Sequence, residues 1–204
     1  MARFTPLKRD VLDSLADEFL SHYPQGRTLI AVDGRGETAT FANDLAERLG
    51  RGSHPVYRAS IDGFHRPRAE RYVKGSESAE GFYVDSFDYD LFQRVLIDPF
   101  RLAGSAGFVT RAYDQARDSA VLMAWQTAPR DATLIVDGIF LNRPELRALW
   151  NYSIWLDSPE EPATPRAAGA HALYQAEADP RARASAIVDN SDPEHPLRTF
   201  ADSC

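Results

Sequence analysis

Cysteine is nearly absent. The one residue of this type in 204, Cys204, leaves no pair to form a disulfide and no thiolate set to hold a metal. Lysine is almost as scarce: of 23 basic residues, 21 are arginine, a bias that points to a GC-rich bacterial coding sequence, and Lys8 and Lys74 are the only lysines. No stretch of 18 apolar residues occurs, and residues 1–6 lack the hydrophobic core of a signal peptide, so a cytoplasmic location is expected. There is no Lys/Arg-rich block, and a formal net charge of −7 disfavours nucleic acid or an anionic membrane as the main partner. The expected partner is a small molecule, with self-association into a homo-oligomer left open. No internal repeat or low-complexity linker is found. With 44% apolar content, residues 1–204 read as a single domain with a substantial core.

What is present alternates. Leu7, Val11, Leu15 and Phe19 form an apolar stripe on a helix that Thr5-Pro6 would start and Pro24 would stop. Strands are predicted at 28–33, 55–61, 132–138, 152–157 and 184–189, mostly as continuous apolar runs, with helices near 40–50, 88–97 and 143–149. Continuous apolar strands separated by helices argue for an α/β fold with a mainly parallel sheet of about five strands covered on both faces. Residues 66–87 read as a functional loop, 104–128 as an added hairpin or short helix, and 158–172, with three prolines among alanines, as a loop or mobile lid.

The stretch from Leu29 to Leu49 reads as strand, glycine-containing turn and helix, the outline of a phosphate-binding loop. That loop needs G-x-x-x-x-G-K-[ST]. Here Gly34-Arg35-Gly36-Glu37-Thr38-Ala39-Thr40 is too short and carries an acid where a cation is expected. In open parallel sheets ligands bind at the carboxyl ends of the strands. Asp33, Asp62 with His65, and Asp137 all fall there. Asp62 and His65, three apart on a turn, suit proton transfer from a hydroxyl, although an Asx-turn beside a solvated histidine fits the same residues. Asp88 and Asp90 suit either a ligand or a helix start. The polar cluster Tyr113, Asp114 and Arg117 suits either a polyol or a surface ion pair. No histidine pair or Cys–His set has metal-ligand spacing, and no metal site is expected from spacing.

The stretches VDG at 32–34, FANDLAERL at 41–49, IDGFHRP at 61–67, GFYVDSFDYD at 81–90, LIVDGIFLNRPELRALW at 134–150 and LYQAEADPRARASAIVDN at 173–190 resemble, in order, the uridine kinase-like branch of the P-loop kinases. The resemblance implies a three-layer P-loop NTPase-type fold. It puts Asp62 where that family keeps the general base for the acceptor hydroxyl, with His65 lining the same pocket. Tyr83, Asp88, Tyr89 and Asp90 would lie on the acceptor side, Tyr113, Asp114 and Arg117 against the acceptor's sugar or base, and Asp137 near Mg²⁺ and the phosphates. The departures are on the donor side: the lysine has no counterpart, and the lid between Asp157 and Tyr174 keeps mainly Arg166. Loss of one preorganised donor to a developing charge costs roughly 10²–10³ in rate. The expectation is therefore an enzyme of the lyase, cyclase, dehydratase or hydrolase type that needs no cofactor and uses the retained acceptor pocket. The alternatives are an ATP- and Mg²⁺-dependent kinase in which Arg35 replaces the lysine and Thr38 or Thr40 holds the metal, and a non-catalytic small-molecule-binding pseudokinase.

Overall fold

The computed structural model describes residues 6–102, 104, 106–159 and 164–200. Helix α1 (Lys8–His22) is followed by strand β1 (Arg27–Gly34), α2 (Thr38–Leu49) and β2 (Val56–Ser60), which runs into a 3₁₀ turn at Ile61–Phe64. Short helices α3 (Arg68–Arg71), α4 (Ala79–Asp85), α5 (Tyr89–Phe92) and α6 (Asp98–Arg101) come next, with a π-helical stretch at Gln93–Ile97 before the last. A small hairpin of β3 (Tyr113–Asp114) and β4 (Ser119–Ala120) precedes β5 (Ala132–Gly138) and β6 (Tyr152–Asp157). Helices α7 (Pro165–Ala178) and α8 (Pro180–Arg183) and strands β7 (Ala186–Asp189) and β8 (Leu197–Thr199) complete the chain.

The central sheet has six strands in the order β2-β5-β1-β6-β7-β8, one more than expected from the sequence. All neighbours are parallel except β8, which lies antiparallel on β7. Alternate residues of β1 serve opposite layers, as the two-residue period of a strand requires. Ile30 and Val32 pack with Ile135 against α1 and α2, while Leu29 and Ala31 pack with Leu134 and Val136 against a second layer rich in phenylalanine. Thr5, expected as the first helix cap, lies outside the described residues, as does Cys204. Asp10 accepts from the backbone N–H of Leu7 at 3.2 Å, closing the start of α1.

Three expectations are corrected. Residues 66–87 are not one loop but hold α3 and α4, the latter started by Ser78, whose hydroxyl accepts from Gly81 N at 3.0 Å. Of the segment predicted as a lid, residues 160–163 lie outside the described residues, and the chain is helical from Pro165. Thr164 caps that helix by accepting from Ala167 N at 3.1 Å, and a proline in the first turn of a helix loses no hydrogen bond. The helix expected at 143–149 shrinks to a 3₁₀ turn at Arg147–Leu149. The backbone N–H of Asn142, just before it, turns inward to Asp33 instead.

Candidate functional site

Strands β1, β5 and β2 deliver Gly34, Gly138 and Ser60 to one edge of the sheet. A Cβ on Gly34, at φ +150°, would sit 2.6 Å from the carbonyl oxygen of Leu156, and one on Gly138, at φ +139°, would run into the side chain of Ile61. Only glycine lets the chain leave the sheet at either place. After Gly34 the turn is short. Glu37 has φ −82° and ψ 45°, and the N–H of Thr38 donates to the carbonyl of Gly36 at 2.9 Å, which makes Gly36–Glu37–Thr38 an inverse γ-turn. An N–H that helix α2 would leave free at its start is thus spent inside the turn.

A cleft of about 500 Å³ opens between this turn and the 3₁₀ turn after β2. Glu37 and Thr38 form one wall, Arg58 and Asp137 the floor, and Asp62 with Arg111 the opposite wall. Asp137 is buried, and its Oδ1 receives Arg58 Nη2 at 2.6 Å. Arg58 also donates to Asn43 Oδ1 at 3.1 Å and reaches the carbonyls of Ile135 and Ala39 at 3.4 Å. Burial pushes the Asp137 carboxyl above its ordinary range, and the facing guanidinium pulls it back.

Asp62 is 70% exposed, whereas His65 is only 4% exposed. The His65 ring stacks on Phe87 at 4.5 Å, and its Nδ1 lies 3.0 Å from the carbonyl of Ser86. A carbonyl only accepts, so Nδ1 carries the hydrogen. Nε2 faces Asp62 Oδ1 at 3.6 Å. The arrangement is a solvent-facing carboxylate backed by an imidazole that substrate cannot touch directly.

The other candidates lie elsewhere. Asp33 is fully buried beneath the turn, and its Oδ2 accepts from the Asn142 backbone N–H and from Asn142 Nδ2, each at 2.9 Å, and from the Tyr174 hydroxyl. Burial drives its carboxyl up to about 6. Tyr83 bonds Glu177 through its hydroxyl, and Arg143 lies 4.7 Å from the centres of both the Tyr83 and Tyr89 rings. Burial pushes the Tyr89 hydroxyl up to about 12. Asp88 caps α5 by accepting from Leu91 N at 2.9 Å, and Asp90 is exposed. Tyr113 bonds Asp118, and Asp114 accepts from the N–H groups of Ala116 and Arg117 and pairs with Arg111, so both serve the hairpin itself. Arg117 and Thr40 are exposed and do not line the cleft. Arg166 packs over the rings of Tyr72 and Phe82, at 5.0 and 4.7 Å. Arg35 turns away into a separate hollow of about 240 Å³ with Trp155, Gln175 and Arg181.

Arg58 and Arg111 were not foreseen. Arg58 stands inside the run VYRAS, where its charge in a central stretch of a strand was the available signal. Asn142 and Tyr174 carried no sequence signal of their pairing, because they meet Asp33 across 109 and 141 residues of chain.

No protein-family model and no curated protein matches this sequence. Solved structures do match in fold. A possible uridine kinase from Bacillus stearothermophilus aligns over 89% of this chain and 98% of its own, with a TM-score of 0.73 and 23% identity. A "putative fructose transport system kinase" from Silicibacter sp. TM1040 aligns over 83% of this chain and 90% of its own, with a TM-score of 0.59 and 23% identity. The α/β fold, with its mostly parallel central sheet, is therefore shared with these structures and is P-loop kinase-like, as the sequence motifs imply. Among the described residues, no helix is long and apolar enough to cross a membrane.

Proposed function

We propose that this chain is a kinase-fold enzyme that works without ATP, using Asp62 as the proton acceptor for a hydroxyl of a small polar metabolite. The observation that carries this reading is the Gly36–Glu37–Thr38 turn. A triphosphate is held by backbone N–H groups pointing into the loop and by nearby cations. Here the Thr38 N–H is taken by Gly36, the Glu37 carboxylate lines the same wall, and Asp137 holds an arginine. The residues present do not fit a magnesium-bound triphosphate.

The opposite wall suits proton transfer. Asp62 takes the proton of a substrate hydroxyl, and His65, its Nδ1–H fixed on Ser86, offers the Nε2 lone pair to receive that proton from behind. Arg111, beside Asp62, balances the negative charge that develops on the substrate oxygen. Ring closure, in which the deprotonated hydroxyl attacks an electrophilic carbon of the same metabolite and displaces a leaving group, uses such a step, and hydrolysis uses it with water in place of the hydroxyl.

The test pairs two measurements. Titration calorimetry with Mg·ATP should give no binding up to millimolar nucleotide, and ¹H NMR of a mixture of hydroxylated metabolites should show one consumed without nucleotide by the parent protein and not by Asp62→Asn. Micromolar ATP affinity, or transfer of the γ-phosphoryl group, would overturn the proposal.

A further inference from the structure

The fold family implies a divalent metal beside Asp137, and the disagreement with the residues present is specific. Asp137 Oδ1 is 2.6 Å from Arg58 Nη2, which places a fixed cation on a carboxylate that lines the cleft. Arg58 is not a passing surface partner. Its three nitrogens reach Asn43 Oδ1 and the Ala39 carbonyl of α2, and the Ile135 carbonyl and Asp137 carboxylate of β5, so one guanidinium ties the first turns of α2 to the strand end. Its side chain is 22% exposed and that of Asp137 5%. Among the described residues, no three His, Cys, Asp or Glu groups converge on a point that would hold a metal ion.

We infer that Arg58 is a resident counter-cation that occupies the metal-facing position of Asp137, so that the floor of the cleft is neutralised by the chain itself and takes no divalent ion. An arginine suits this post better than a lysine. Its charge persists when buried, and its planar donors satisfy the helix carbonyl and the carboxylate at once. Arg58 acts through Asp137 and α2 and is a positioning residue. The inference goes beyond the acid–base reading and is independent of which substrate Asp62 serves.

The test uses Mn²⁺ alone, followed by paramagnetic broadening in ¹H–¹⁵N spectra of the full chain. The parent protein should show no site-specific broadening at Thr38, Asp137 and Gly138 with 1 mM Mn²⁺. Arg58→Met, and the milder Arg58→Gln, which keeps polar contacts to α2, should gain it at these residues, with at least a tenfold rise in Mn²⁺ affinity. Mn²⁺ should then raise the melting temperature of those variants, and adding Asp137→Asn should abolish both gains. Two results would overturn the inference: broadening of these residues in the parent protein at the same Mn²⁺ concentration, or a folded Arg58→Gln variant that gains none. Neither result depends on ATP binding, so failure here is distinguishable from failure of the acid–base reading.

Discussion

Asp33 and Asp137 end neighbouring strands one step apart, and both are buried, yet the molecule treats them in opposite ways. Parallel pairing sets Val32 opposite Asp137 and Asp33 opposite Gly138. Asp137 therefore shares the face of Val32 and points toward α2, whereas Asp33 shares the face of Leu29 and Ala31 and points toward α7. On the first face the carboxylate meets a cation and lines an open cleft. On the second it meets only neutral donors, Asn142 and Tyr174, and is sealed. One residue of register separates the floor of an open cleft from a structural lock.

The largest effect should come from breaking the charged member. Removing one partner of a buried ion pair costs about 3–5 kcal/mol because the other charge is stranded. Arg58→Met should lose that much in urea unfolding. Asp137→Asn should lose less, on the order of 1–2 kcal/mol, since Arg58 keeps its bonds to Asn43 and to the carbonyls of Ala39 and Ile135. The double variant should recover most of the first loss. Simple additivity of the two single losses would mean that the pair contributes little.

The carboxyl held by neutral donors should show itself through pH. Asp33 rises from an ordinary value of 3.8 to about 6 in the folded protein, because burial outweighs its hydrogen bonds. The folded state then binds the proton more tightly than the unfolded chain does. Its contribution to stability is greatest below about pH 4, falls as pH rises, and is lost above about 6. At 1.36 kcal/mol per pH unit the loss is about 3 kcal/mol. Asp33→Asn removes it, so the difference in unfolding free energy between the parent protein and the variant should shift by that amount between pH 4 and 7, against the parent. A flat difference would place the titration elsewhere.

The strand ends themselves come next. Gly34→Ala forces a Cβ toward the backbone oxygen of Leu156 and should cost about 2–3 kcal/mol. Gly138→Ala meets a side-chain methyl of the buried Ile61 rather than backbone, and should cost somewhat less. Equal losses would show that the positive φ, shared by both, matters more than the obstacle.

Much of this architecture was legible in the chain. The runs at 132–138 and 152–157 coincide with β5 and β6 because parallel strands buried on both faces must be apolar throughout. The loop expected at 158–172 gives way to a helix from Pro165, because Thr164 before that proline makes it a helix start. Of the residues around the cleft, motif and position single out Asp62, Asp137 and the loop at 34–40. Asp33 was grouped with them because position along the chain places a residue at a strand end without saying which face it takes. That choice is made by pleat and register, which are properties of two strands at once. The charge of Arg58 inside a strand run stands out locally, but its alignment with Asp137 is again a property of two strands.

The smallest effect tests the same distinction between a structural and a ligand-facing carboxylate on an outlying helix. Asp88 and Asp90 were both assigned to the acceptor pocket. In the fold, Asp88 accepts from Leu91 N at 2.9 Å at the start of α5, and this start matters because the chain stays helical through the π stretch and α6 to Arg101. Asp90, two residues further on, is exposed. Loss of an N-cap costs about 1 kcal/mol, and loss of an exposed acid from a first turn a few tenths through the helix dipole. Asp88→Ala should therefore lower the unfolding free energy by about 1 kcal/mol and Asp90→Ala by a few tenths, as read by urea titration. If Asp90→Ala instead left stability untouched and removed metabolite consumption, the substrate would have to extend well beyond the cleft between Glu37 and Asp62, and the boundary drawn here between lock and working wall would move with it.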